Sequence, residues 1–128
     1  MPEHDAPMPT EGELAILRVL WRRGPRTVRE VHTELAHSQD TGYTTTLKLM
    51  QIMAEKGLLL RDESQRAHVY RPAQPQEQTL RQIAGDLLQK AFGGSPEMLV
   101  MHALKAREVS AEELAGIRKM LDELEGQR

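Results

Sequence analysis

The sequence predicts a mainly α-helical fold carrying one small β-hairpin, and three features predict it. Three capping boxes, Thr10-Glu11-Gly12-Glu13, Thr27-Val28-Arg29-Glu30 and Ser110-Ala111-Glu112-Glu113, mark helix starts. In each, a hydroxyl and the carboxylate three residues on reciprocally satisfy backbone N–H groups that have no partner inside the helix. Between the second and third boxes, two short apolar runs, Leu58-Leu59-Leu60-Arg61 and Ala67-His68-Val69-Tyr70-Arg71, flank the polar stretch Asp62–Arg66. That is the pattern of two strands joined by a charged turn, and Pro72 ends the second strand. Everywhere else apolar residues recur at helical spacing.

Taken in order, residues 1–9 hold three prolines and mixed charges and read as a flexible arm. Leu14, Leu17, Leu20 and Trp21 then share one face of a first helix, which Gly24-Pro25 stops. Arg26 marks a brief extended residue or two. The Thr27 box opens a second helix with Val28, Val31 and Leu35 inward and Arg29 outward. A short polar segment, His37–Gly42, leads to a third helix that ends at Lys56-Gly57. On this third helix Thr46, Leu49, Met50 and Met53 fall on one side, and Thr44, Thr45, Lys48 and Gln51 on or near the other, with Leu47 and Ile52 flanking. Two helices joined by a short turn form a helix-turn-helix, and a hairpin directly after it makes a winged helix spanning residues 10–73.

Residues 74–128 are helical and different in character. Leu80, Ile83, Ala84, Leu87, Leu88, Ala91 and Phe92 form a broad stripe closed by Gly93-Gly94. Ser95-Pro96-Glu97 opens a helix with Met98, Leu99, Met101 and Leu104. Behind the Ser110 box, Leu114, Ile117, Leu121 and Leu124 repeat along a narrow seam. Three such helices carry more apolar surface than so small a unit covers alone, so this region is expected to dimerise through Leu80, Ile83, Leu87, Leu99, Leu114, Ile117, Leu121 and Leu124.

Composition narrows the function. The 128 residues carry a net charge of −2, yet Arg18 to Arg71 holds ten Lys or Arg against six acids, whereas the chain from Gln74 holds nine acids against seven bases. The front half is the one suited to a polyanion. No cysteine is present, which excludes disulfides and thiolate metal sites. No apolar run reaches bilayer length and the start lacks a signal-peptide pattern, so a soluble cytoplasmic protein with no membrane partner is expected. Nucleophile-elbow, phosphate-loop and His-Glu-x-x-His patterns are absent, and the histidines have no ligand-type company; neither catalysis, a metal nor another cofactor is expected. Small hydroxyls and a cation on the third helix can approach phosphates and base edges closely. The expected interface with double-stranded DNA is therefore Tyr43, Thr44, Thr45, Lys48 and Gln51 on that helix, Arg29 on the helix before it, and Arg66 and His68 at the wing. The rival reading is a winged-helix adaptor for another protein, which would present apolar anchors on the same face.

With these residues in place the sequence resembles the penicillinase-repressor family (BlaI/MecI), to which the copper-responsive CopY repressors also belong. The resemblance rests on Glu13-Leu14-Ala15-Ile16-Leu17 leading to Leu20-Trp21, on Thr27-Val28-Arg29-Glu30-Val31, on Tyr43-Thr44-Thr45 leading to Lys56-Gly57-Leu58, and on Arg66-Ala67-His68-Val69-Tyr70 before Pro72. It covers about Thr10 to Pro72 well and the remainder loosely. It implies a transcriptional repressor that dimerises through its C-terminal helices, binds an inverted-repeat operator, and uses Thr44, Thr45, Lys48 and Arg66 at the DNA. Two departures concern regulation. The beta-lactam branch is inactivated by cleavage at an Asn-Phe bond, and this chain has no asparagine, with Met101-His102-Ala103 near the matching place. The copper branch senses metal through C-terminal cysteines, of which there are none. The inducing signal, whether an upstream sensor protease or an effector, is left open by the residues.

Overall fold

The computed structural model describes residues 7–128, so the first six positions of the expected arm lie outside the described residues. The order is α1 (Glu11–Arg23), β1 (Arg26–Thr27), α2 (Val28–Leu35), α3 (Tyr43–Lys56), β2 (Leu59–Asp62), β3 (Val69–Pro72), α4 (Gln76–Phe92), α5 (Pro96–Ala106) and α6 (Ala111–Gly126). This is the mainly helical fold with a small sheet that the spacing predicts. All three capping boxes form, opening α1, α2 and α6.

The extended residues at Arg26 do more than connect. They pair with the hairpin, giving an antiparallel sheet in the order β1-β3-β2, with Arg26 opposite Tyr70 and Thr27 opposite Val69. In the hairpin, Arg61 stands opposite Tyr70 and Leu59 opposite Pro72. β3 is thus the central strand, and β1 ties the start of α2 to the wing. A two-residue strand has too little pattern for period-two alternation to reveal it.

The first core gathers Ile16, Leu17 and Leu20 of α1, Val31 of α2, Met50 and Met53 of α3, and Leu59 and Tyr70 of the sheet. On α1 the face differs from the expectation: Ile16 and Val19 are core, while Leu14 and Trp21 are only half-buried. α1 packs against α2, α3 and β3 at once, so it buries a wide stripe. Val28, Val31 and Leu35 face inward as expected. On α3, Thr46, Met50 and Met53 are buried and Leu49 packs against the core edge. The buried Thr46 hydroxyl is satisfied by donating to the Gly42 carbonyl at 3.3 Å. Gly57 takes a left-handed conformation (φ 88, ψ 12), and the Leu58 N–H closes the helix end on the Met53 carbonyl at 2.8 Å.

One tie within this core was not anticipated from the sequence. Glu13, besides serving its capping box, is 2 % exposed and receives Lys56 Nζ at 2.8 and 3.0 Å. It joins the start of α1 to the end of α3. Burial raises the Glu13 pKa, but the hydrogen bonds from Lys56 and the Thr10 N–H outweigh it, so the carboxyl is held below its usual range.

The chain divides into two compact units, the first ending at Ile83 and the second running Ala84–Arg128, so the division falls inside α4. Thr79, near the start of α4, is buried in the first unit, where a small hollow is lined by Leu17, Gly57, Leu58 and Pro72. In the second unit Gly93 and Gly94 both take positive φ between α4 and α5, and Ser95 caps α5 through the Met98 N–H.

Candidate nucleic-acid interface

The presentation of α3 follows from its two faces. Because Thr46, Met50 and Met53 are consumed by the core, Thr44, Thr45, Lys48 and Gln51 are turned out and exposed. Leu47 and Ile52 are half-buried at the flanks, so the outward face is made of hydroxyls, an amide and an ammonium. Gly42 caps the helix without a side-chain hydrogen bond. No acid stands in the first turn of α3, which keeps negative charge away from the end that would meet a polyanion.

Tyr43, the first residue of α3, is held from α2. The Arg29 guanidinium lies 4.7 Å from the centre of its ring, and the His32 ring meets it edge-on at 5.9 Å. These contacts orient the helix-turn-helix at its entry and leave Arg29 exposed. A signal for His32 in this role was absent from the sequence, since nothing there indicates that the third helix starts beside the second turn of α2.

Between α3 and the wing lies an open hollow of about 400 Å³. It brings together five of the sequence-derived candidates, Arg29, Tyr43, Gln51, Arg66 and His68, with Thr27, Leu47 and Arg61. Thr44, Thr45 and Lys48 stand outside it on the exposed ridge of α3. Arg66 is exposed at the base of the wing loop, and His68 is half-buried just before β3. Asp62 shapes the loop by accepting the Ser64 N–H at 2.9 Å, and that hydrogen bond holds its carboxyl below the usual range.

Several cations of this unit are paired with carboxylates, and others, Arg18, Arg26, Arg29 and Arg71 among them, are not in an ion pair among the described residues. Arg22 and Arg23 reach Glu34 at 3.5 and 3.4 Å, Lys56 is bound to Glu13, and Arg61 to Glu63. Among the described residues, Lys48 and Arg66 have no carboxylate partner. Two unneutralised cations thus stand on the α3 ridge and the wing, where they can meet phosphate oxygens. Arg61 was missed by sequence reasoning, which assigned it only to a strand.

The C-terminal candidates can be placed as well. Leu80 and Leu87 on α4 and Leu121 and Leu124 on α6 are 44 to 53 % exposed, and Ile83, Leu99, Leu114 and Ile117 are half-buried. No residue of α5 or α6 is buried. Met98, Val100, Met101 and Met120 add to the exposed apolar surface. His102 packs beside Phe92, with ring centres 5.9 Å apart.

Comparison with known proteins gives a consistent answer. The family model described as penicillinase repressor matches residues 9–123. The transcriptional regulator BlaI of Mycobacterium tuberculosis is 35 % identical over 115 residues, covering 88 % of this chain and 82 % of that protein. The penicillinase repressor of Bacillus licheniformis is 22 % identical over 117 residues, covering 91 % of each. Among solved structures, the DNA-binding domain of the repressor BlaI superposes with a TM-score of 0.52 at 23 % identity, over 58 % of this chain and 90 % of that one. The monomeric form of Bacillus licheniformis BlaI, solved with the blaP half-operator, superposes with a TM-score of 0.51 over the same shares. Those two likenesses carry the fold of the winged helix. On the strength of a match that runs nearly its whole length, this chain belongs to the penicillinase repressor family.

Proposed function

We propose that this protein is a transcriptional repressor that binds an inverted-repeat DNA operator as a homodimer and represses by occupying the promoter. The observation that carries the reading is the outward face of α3: four exposed polar residues, Thr44, Thr45, Lys48 and Gln51, on a helix whose opposite face is locked into the core. The helix enters a major groove, Thr44 and Thr45 approach base edges, and Lys48 and Arg66 take phosphate oxygens. Arg29 and Tyr43 set the helix entry, and His68 supports the wing. Relatives in the family are named as a repressor and as a transcriptional regulator, which supports the same role.

Residues 10–73 are the DNA-binding part and 74–128 the dimerisation part in this reading. The exposed leucines of α4 and α6 supply the apolar surface of a two-fold interface, which would set two copies of α3 about one DNA turn apart. An adaptor role is disfavoured because Leu47 and Ile52 are half-buried and offer no projecting anchor. No helix among the described residues is long and apolar enough to cross a membrane.

Selection of bound sequences from random duplex DNA, followed by salt titration of the best binder, tests the reading. The expected result is a two-fold symmetric site holding two chains per duplex. Lys48→Ala and Arg66→Ala should each weaken binding and make the log-log salt slope shallower by about 0.9 per lost phosphate contact. A folded protein that enriches no sequence overturns the proposal.

A further inference from the structure

The hollow beside α3 holds an arginine to which neither the sequence motifs nor the family match assigns a role. Arg61 is on β2, opposite the buried Tyr70, and its guanidinium lines the hollow together with Gln51, Arg66 and His68. The side chain is fixed at one end: Nε and Nη2 both donate to Glu63 Oε2, at 2.6 and 2.5 Å. A second hydrogen bond, to the Tyr70 hydroxyl of β3, holds the guanidinium from the other side, and of its five N–H groups those not taken by Glu63 and Tyr70 can still donate to a further acceptor.

The geometry of a duplex says what that acceptor is. If α3 lies in the major groove and the wing reaches the neighbouring minor groove, the phosphodiester strand that separates the two grooves must pass between them. Arg61 lines a second hollow between α3 and β2 as well, with Gln51, Glu55 and Glu63, but that one has two carboxylates on its walls, whereas the lining of the hollow facing α2 includes three arginines, Arg29, Arg61 and Arg66, and no acid. We propose that this hollow receives the phosphodiester ridge of the bound duplex and that Arg61, aimed by Glu63, is a further phosphate-contacting residue. The proposal rests on the DNA-binding reading above and deepens it. Glu63 and the Tyr70 hydroxyl together hold the guanidinium in place.

The alternative is an ordinary exposed ion pair with no part in binding, and such pairs contribute little. The two are separated with the full-length protein on the duplex obtained by selection and on a random-sequence duplex of equal length. Arg61→Ala should weaken both complexes by the same factor and reduce the salt slope by about 0.9, as loss of one phosphate contact does. Arg61→Lys, which keeps the charge, should restore most of the slope. A scan of single neutral methylphosphonate substitutions along the selected duplex then locates the contact. The wild type should be sensitive at a phosphate between the two grooves, and Arg61→Ala should be insensitive there. If the wild type binds, Lys48→Ala weakens it, and Arg61→Ala leaves slope and scan unchanged, the Arg61 assignment is overturned while the repressor reading stands. If the folded wild type binds no duplex, the repressor reading itself fails and this one with it.

Discussion

Replacing Lys56 by methionine should test how far the buried Glu13 carboxylate depends on one partner. Glu13 is 2 % exposed, and three hydrogen bonds reach it: two from Lys56 Nζ and one from the Thr10 N–H at 2.9 Å. Removing one member of a buried pair typically costs about 3–5 kcal/mol, because the charge left behind is uncompensated. Here the cost is reduced, since the Thr10 N–H stays and the Lys56 side chain is one-third exposed, so water can reach the vacated place. A loss of about 2–3 kcal/mol is expected for Lys56→Met. The Glu13→Gln/Lys56→Met double variant leaves no buried charge and keeps a capping acceptor, so it should lie within about 1 kcal/mol of the wild type. Urea unfolding at fixed chain concentration measures both. A single variant within about 0.5 kcal/mol of wild type, or a double variant no more stable than the single, would refute the argument.

The pH dependence has a defined sign. The folded-state pKa of Glu13 lies below the ordinary value of 4.5, so its contribution is fully present above that value and is lost as pH falls through the lowered folded one. Wild type should therefore lose stability relative to the double variant on acidification below pH 4.5, and the offset between the two should be constant from there to neutrality.

Two further substitutions probe other parts of the molecule. Gly57→Ala places a side chain at φ 88, where nothing crowds the added methyl, so the expected loss of about 1–2 kcal/mol comes from backbone strain alone; an unchanged urea midpoint would contradict it. Leu121→Glu with Leu124→Glu introduces charge where both side chains are about half exposed, so the helices should keep their circular dichroism while sedimentation shows dissociation to single chains; a dimer that persists unchanged would remove α6 from the proposed interface.

Local chemistry made most of the fold legible before any coordinates. Capping boxes, the Gly24-Pro25 stop, the left-handed Gly57 and the Ser95-Pro96 start are events within four or five residues, and each is found where its residues stand. The outward face of α3 was readable for the same reason: helical periodicity alone separates Thr46, Met50 and Met53 from Thr44, Thr45, Lys48 and Gln51.

What tertiary structure alone decided involves residues far apart in the chain. Glu13 meets Lys56 across 43 positions, Arg26 and Thr27 pair with β3, and His32 comes against Tyr43. The width of the buried stripe on α1 likewise depends on how many neighbours surround it, which is why Ile16 and Val19 replace Leu14 and Trp21 in the core. Arg61 is the clearest case. In sequence it closes a short apolar run and carries no pattern of its own, and only the pairing of β2 with β3 beside α3 turns it into a wall of the hollow. Periodicity reports which way a side chain points from its own element; which element stands opposite is set by packing, and that is where the shape of a DNA-facing surface is made.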